Sequence, residues 1–451
     1  MVTSLQRITR TAFALALIVA SQFAHAILPI EHWRTSTGAK VYFVANRGLP
    51  MVDVSIDFPA GSGFDTAEKS GAAGMTNGML RLGAGGLNED EIARRLADVG
   101  AVMGNLFDTD RAGMSLRTLS DAPRRTQALD VMARALGSPV FPADIIERER
   151  VRHVGALKEA DLKPDTQVSR EFYRLVYRQH PYALRGSGEV DTIGRLTRDD
   201  LVAFYRQHYL ADRAVVAIMG DVTRPEAEAI AEQLTGTLPR AHGAAPVLPE
   251  VQSLQEAVTR VVAHPASQSH IMIGAPGIRR DDPDYFTLFV GNYILGGGGF
   301  VSRITEEVRQ KRGLAYSAYS YFAPLQARGP FIIGMQTRRD QADEALAVLR
   351  DTLREFVSNG PTEQELQAAK QNIVGGFPMR IDSNRKIHDY LRLIGFYDLP
   401  IDYLETFVAN IERVTVADIK AAFARRVDPN RLVTVVVGAD RSQAAAVSTT
   451  R

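Results

Sequence analysis

Short runs of β-branched and aromatic residues alternate along this chain with longer stretches whose apolar positions recur at helical spacing, and the order of these segments comes round twice. Residues 39–46 and 51–58 are β-rich runs either side of Arg47-Gly48-Leu49-Pro50, the pattern of a hairpin. The spacing then predicts a helix over 70–82, a second opened by Asn88 as its N-cap, strands at 101–106 and 111–119, and an amphipathic helix over 125–136. Downstream, strands are expected at 269–274, 314–322 and 329–336, and helices at 282–295, 302–311, 342–357 and 362–373. Strands and helices mix without strict alternation. That predicts α+β halves, each a mainly antiparallel sheet with helices packed on one face.

The two sets read as copies. Leu196-Thr-Arg-Asp-Asp-Leu-Val-Ala-Phe-Tyr205, then Arg213-Ala-Val-Val-Ala-Ile-Met-Gly220, has the form of a capped helix followed by a buried strand ending at glycine. Val414-Thr-Val-Ala-Asp-Ile-Lys-Ala-Ala-Phe423, then Arg431-Leu-Val-Thr-Val-Val-Val-Gly438, repeats it at an offset of 218 residues. Thr197 thereby pairs with Thr415, Asp200 with Asp418, Arg213 with Arg431 and Gly220 with Gly438; Ala128-Leu129 is echoed by Ala345-Leu346 at 217. The expected division is a first repeat over 27–237, a Pro- and Ala-rich linker over 238–258, a second repeat over 259–440 and a fraying tail over 441–451.

Residues 1–26 stand outside that scheme. Arg7 and Arg10 precede a nearly continuous apolar stretch over 11–23, and Ala24-His25-Ala26 has the form of a cleavage site, which predicts a signal peptide and a periplasmic destination. The apolar stretch falls short of the ~18 residues a membrane span needs, so no span is expected after signal removal. Lys and Arg number 53 against 52 Asp and Glu, and removing the leader's two Arg moves the formal charge from +1 to about −1, leaving no field to hold nucleic acid. Cysteine is absent, which excludes disulfides, thiolate catalysis and Cys-ligated metals.

Candidate chemistry is sparse. Gly296-Gly-Gly-Gly299 is followed by Phe300-Val301 and not by Gly-Lys-Ser/Thr, so it reads as a helix end and turn, not a phosphate loop. The nine histidines include no pair at i, i+4, and His264 and His270 stand six apart around Pro265. No Gly-x-Ser-x-Gly elbow occurs.

Several segments together carry a family resemblance. Leu175-Val-Tyr-Arg-Gln-His-Pro-Tyr182, the 196–205 and 214–221 stretches, Gly297 to Phe300, and Ser302-Arg-Ile-Thr-Glu-Glu-Val-Arg-Gln-Lys-Arg-Gly-Leu-Ala-Tyr316-Ser317 resemble the M16 (pitrilysin, or insulinase-like) metallopeptidases, over nearly the whole chain. The size is that of the two-chain bacterial subfamily. The resemblance implies a duplicated α+β unit forming one half of a clamshell. It also implies where zinc should be, and the residues depart from it. An active member carries His-x-x-Glu-His on a first-repeat helix, whereas the matching positions here are Gly74, Asn77 and Gly78, and the third ligand's segment falls on Gly155-Ala156. Glycine offers no ligand atom and an amide is no base. No cofactor is therefore expected in this chain, and zinc is expected on a partner subunit.

The remaining catalytic pair is present by resemblance: Arg309 and Tyr316 match the Arg and Tyr that hold the scissile carbonyl in the family. Helical spacing puts Ile304 and Val308 in a buried stripe with Arg309 at its margin, and strand alternation puts Tyr316 on one face with Ala318 and Ser320. The function implied is that of the non-metal subunit of a periplasmic heterodimeric M16 zinc peptidase. Its partner would be a second M16-like chain bearing His-x-x-Glu-His, and its substrate a peptide or unfolded protein bound extended. The alternative is a catalytically inert peptide-binding or scaffold protein of the same fold.

Overall fold

The computed structural model describes residues 29–240 and 245–439; the leader expected over 1–26, the tail expected over 441–451 and residues 241–244 of the expected linker lie outside the described residues. Six strands make the first sheet: β1 (Glu31–Arg34), β2 (Lys40–Ala45), β3 (Met51–Phe58), β4 (Val102–Phe107), β5 (Ala112–Leu119) and β6 (Val215–Gly220), in the order β1-β2-β6-β3-β5-β4. Five make the second: β7 (Val258–Ala263), β8 (Gln268–Pro276), β9 (Ala315–Phe322), β10 (Pro330–Arg338) and β11 (Val433–Ala439), in the order β7-β11-β8-β10-β9. Each has one parallel pair, β2 with β6 and β7 with β11, and is otherwise antiparallel. Apart from β1, the two orders match strand for strand. The chain is a duplicated α+β unit.

The positions paired in the sequence are the same structural positions. Thr197 and Thr415 cap the helices Arg198–His208 and Val416–Arg426, each accepting an N–H from, and bonded in return by, the aspartate three residues on. Each helix leads into an interior strand, β6 or β11, with a glycine at positive φ at or next to its end, +137° at Gly220 and +117° at Gly438. A Cβ there would lie 2.2 Å from the Met51 carbonyl oxygen or 2.6 Å from that of Gln268, so the neighbouring strand excludes any larger residue at both.

Each half's own helices cover one face of its sheet. The other face is covered by a helix from the opposite half: Asn384–Phe396 lies on β6, β3 and β2, and Pro164–Tyr177 lies on β11 and β8. This exchange explains the unbroken apolar run of β6 and that of β11, broken by the buried Thr434 alone; both are buried on both sides and so show no alternation. Val44, Ala217 and Met219 meet Leu391 on one sheet, and Met272, Ile332 and Val435 meet Phe172 and Val176 on the other. Among the described residues no helix is long and apolar enough to cross a membrane.

Two contacts lock the exchanged helices, and they occupy equivalent places. Asp57 pairs with Val215 and Gly274 with Val433, so Asp57 and Gly274 are one position of the two repeats. Over the fully buried Asp57 sits Arg392, its Nε donating to Oδ2 at 2.9 Å and its Nη2 to Oδ1 at 2.8 Å. Over Gly274 sits Phe172, whose ring tip would stand 2.9 Å from an added Cβ. A third tie closes the seam between the halves. Asp110, fully buried, accepts from the Tyr182 hydroxyl, from the Tyr397 hydroxyl at 2.8 Å and from the Gln326 N–H at 2.7 Å. Burial pushes its carboxyl up, and the three donors oppose the shift.

Arg392→Ala leaves Asp57 buried and unpaired, and it is expected to cost about 3–5 kcal/mol in urea unfolding. The double variant Asp57→Gly/Arg392→Phe installs the second repeat's pair and should recover most of that loss. A double variant no more stable than the single would refute the equivalence of the two contacts.

Candidate functional site

The helix Ala72–Met79 carries the positions where the resemblance places zinc ligands. Its start is set by Asp65, whose carboxylate accepts from the Gly71 and Ala73 N–H groups, both at 2.8 Å. Burial raises the Asp65 carboxyl to about 7 against the pull of those two bonds. Gly71 takes φ +92°, where a Cβ would strike Ile193 at 2.6 Å. The helix is shorter than the 70–82 expected, because this turn occupies its first residues.

Gly74 and Gly78 face a cavity of about 320 Å³ walled opposite by Glu149, Arg152, His153 and Ala156 of the helix Ala143–Ala160. A Cβ on Gly78 would meet nothing, whereas one on Gly74 would stand 3.3 Å from both the Phe107 ring and the Gly186 carbonyl. The residues present do not fit a metal ion. The glycines, like Gly155-Ala156, offer no ligand atom, and Glu149 is held by Arg148 and Arg152, which also sets a cation beside the cavity. Among the described residues no three His, Cys, Asp or Glu side chains are grouped as a metal site. His153 is among the histidines that the spacing sets aside; its Nε2 lies 2.7 Å from the Ser187 carbonyl, and it also lines the larger cleft described below.

Asn77 turns away from this cavity into the core. Its Nδ2 donates to the Gly113 carbonyl at 2.9 Å and to the Tyr209 hydroxyl at 3.2 Å, and its carbonyl accepts from Asn105 on the edge strand β4. In the second repeat an asparagine also ties this helix to the sheet, here with its side chain directly on the edge strand. Asn292 donates to the carbonyl of Ser320 on the edge strand β9 at 2.9 Å and accepts from its hydroxyl at 2.7 Å. Gly74-x-x-Asn77-Gly78 thus corresponds to Phe289-x-x-Asn292-Tyr293. Asn77 joins helix to sheet, and an echo at offset 215 in the sequence carried that signal.

Arg309 and Tyr316 are brought together. The Arg309 guanidinium lies 4.7 Å from the Tyr316 ring and 4.7 Å from the Phe300 ring, between two exposed aromatics, and no carboxylate partner is found for it among the described residues. Ile304 and Val308 are buried beneath it. Two local expectations are corrected here. The segment expected as a regular helix over 302–311 contains a π-helical turn, Thr305–Gln310. Tyr316 does not share a face with Ala318 and Ser320: Gln336 pairs with Ser317 and Thr337 with Ala315, so Tyr316 is the unpaired residue of a β-bulge. The bulge swings its side chain out, 81% exposed, while Ala318 and Ser320 are buried.

A cleft of about 800 Å³ runs between the halves, bounded by Gly74, Phe107 and His153, by Tyr173 and Tyr177 of the exchanged helix, and by Leu325 and Pro330. Arg309 and Tyr316 line neither this cleft nor the smaller cavity. Behind the Asn77 helix, His208 lies between the Phe204 and Phe64 rings with Nδ1 3.1 Å from the Pro59 carbonyl, and burial lowers it to about 4.

Asn77→Leu removes the buried bonds to the Gly113 carbonyl and the Tyr209 hydroxyl and is expected to cost about 1–3 kcal/mol, whereas Gly78→His should be tolerated within about 0.5 kcal/mol. Chemical denaturation of the two variants checks both. His208 binds a proton more weakly folded than unfolded, so its stabilisation is complete above about 6.5 and is lost as pH falls toward about 4, by up to roughly 3 kcal/mol. The fall in Tm over that range should be shallower in His208→Phe; an unchanged slope would refute the assignment.

Known proteins match across both repeats. The model of the family described as "Insulinase (Peptidase family M16)" matches residues 40–187, and that described as "Peptidase M16 inactive domain" matches 195–373. The chain is similar to the crystal structure of a peptidase M16 inactive domain from Pseudomonas fluorescens, with 38% identity and a TM-score of 0.88 over 91% of this chain and 98% of that one. It is 24% identical to the non-peptidase homolog YmxG of Helicobacter pylori, over 88% of this chain and 91% of that protein. It is 28% identical to an uncharacterized zinc protease of Streptomyces coelicolor, over 84% of this chain and 83% of that protein. With one topology in both repeats and family matches on each, the chain belongs to the M16, insulinase-like peptidase family.

Proposed function

We propose that this chain is the metal-free subunit of a periplasmic two-chain M16 peptidase. The observation that carries this reading is a contrast within one molecule. The ligand positions hold Gly74 and Gly78 and the base position holds a core asparagine, while Arg309 and Tyr316 stand together with their donors unclaimed by any acid among the described residues. A guanidinium stacked between two rings keeps its N–H edges pointed outward and loses little entropy when they bond a carbonyl oxygen. Arg309 and the Tyr316 hydroxyl are the donors assigned to the scissile carbonyl. A zinc site on the partner, bearing His-x-x-Glu-His, supplies the hydrolytic chemistry. The substrate is a peptide or unfolded segment, and the leader expected over 1–26 places the pair in the periplasm.

A second reading is favoured by the structural role of Asn77 and by the relatives described as an inactive domain and a non-peptidase homolog. In it the chain binds peptides or another envelope protein without taking part in cleavage. Purification of the tagged mature chain separates the two. A stoichiometric partner carrying the zinc motif, with chelator-sensitive cleavage of a labelled peptide, supports the first; a chain that holds the peptide uncut supports the second.

In the assembled pair, Arg309→Ala is expected to lower turnover by roughly 100-fold or more, as loss of an oxyanion donor does, with assembly intact. Cleavage at the unaltered rate would remove Arg309 from the mechanism.

A further inference from the structure

The internal symmetry leads to a second cavity. Phe289 and Tyr293 stand in the second repeat where Gly74 and Gly78 stand in the first, and like those glycines they line a cavity, here of about 550 Å³. The place that would hold metal in one repeat is thus an aromatic pocket in the other. Arg280 and Arg380 also line it, the first with its guanidinium 4.6 Å from the Tyr285 ring, the second 5.6 Å from the Phe289 ring.

Neither guanidinium has a carboxylate partner among the described residues, although acids are close in sequence. Asp281 is bonded by Arg279, Asp282 by Arg426, and Asp284 by Arg425 and Arg426. Arg280 is left with a 3.4 Å contact to the Tyr403 hydroxyl, and its Nε is buried with no acceptor among the described residues. The terminal N–H groups of the guanidinium, on the residue that lines the cavity, have no other acceptor among the described residues, and a bound anion would supply one. Because the neighbouring acids are paired, an incoming anion meets no uncompensated negative charge.

The surroundings narrow the kind of anion. Ser317, Tyr319 and Tyr321 line both this cavity and an adjoining one walled by Tyr173 of the exchanged helix. Tyr319 and Tyr321 stack with ring centroids 5.9 Å apart and are partly exposed, which makes an aromatic track beside the pocket mouth. A chain lying on that track would drop an acidic group into the cavity while its neighbours cover the tyrosines.

We infer that the Arg280–Arg380 cavity binds a carboxylate carried by an extended peptide. It rests on the peptide-handling reading above only for the identity of the ligand, and it requires neither the partner nor its zinc. Planar guanidinium groups suit a carboxylate bidentately, and the aromatic walls suit an apolar residue beside it. The carboxylate comes from an Asp or Glu side chain or from the chain's C-terminus.

The test uses the mature chain alone, titrated by ligand-observed NMR with three capped tripeptides: acetyl-Ala-Phe-Glu-amide, its Gln counterpart, and acetyl-Ala-Phe-Ala with a free terminus. At least one carboxylate peptide should bind roughly tenfold or more tighter than the Gln peptide, and the advantage should fall by a similar factor in Arg280→Gln and in Arg380→Gln. Arg380 is exposed, so its variant keeps the test valid if Arg280→Gln unfolds. Preference for the Glu peptide assigns the site to internal acids, and preference for the free terminus assigns it to chain ends. Equal binding of the Gln peptide, no binding by any, or an unchanged advantage in Arg380→Gln overturns the inference. Since no cleavage is measured, failure to find a catalytic partner leaves this result standing, and failure here leaves the partner question open.

Discussion

Everything else in this molecule depends on the exchange of two helices. Each sheet has a second apolar face, with Val44, Ala217 and Met219 on the first and Met272, Ile332 and Val435 on the second, and each is covered by the other half. Neither face would be tolerable in water, so the halves are one cooperative structure and not two beads on a linker. The two locks differ in kind. Phe172 over Gly274 contributes contact area, whereas Arg392 over Asp57 contributes direction, because a buried carboxylate left without its cation costs several kcal/mol and a slipped helix would leave it so. The ion pair is therefore less a source of net stability than a penalty on every wrong register.

The same exchange builds the central cleft. Tyr173 and Tyr177 reach it because their helix has crossed to the second sheet, and Gly74 and His153 reach it from the first. Asp110 closes the seam at the cleft's side with donors from both halves, so the wall bearing the glycines and the wall bearing the tyrosines are held at one separation. A mobile hinge at this seam would need to break the two hydrogen bonds that cross it, from Gln326 and Tyr397, to a buried acid.

Much of this was legible in the sequence, for identifiable reasons. Met51–Phe58 is a strand with the bounds its composition predicts, and the Thr197 and Thr415 caps and the terminal glycines fell where the offset of 218 put them. Such features are local, or are copied locally. The exchange was not legible, because an unbroken apolar strand such as β6 says only that both faces are covered and not by what. Asn77 was read through its resemblance to a catalytic glutamate, while its actual partners, Gly113, Tyr209 and Asn105, are distant in the chain. The bulge at Tyr316 escaped because alternation is a rule for regular strands.

The irregular backbone around the Arg–Tyr pair is itself an argument. Both repeats share one topology, so whatever the fold demands of one it demands of the other. In the first, β4 pairs with β5 without a register shift, and the helix after β3 is regular. In the second, β9 is bulged at Tyr316, the helix after β8 runs into a π-turn at Tyr293–Gly297, and Arg309 sits on another at Thr305–Gln310. Such departures cost energy and are kept only where the surroundings hold them. The fold does not require them, since its other copy does without. Around them Phe300 and Tyr316 are exposed with Arg309 between their rings, and a pocket lies beside Tyr293, so the irregular backbone coincides with the surfaces on which the two proposals rest.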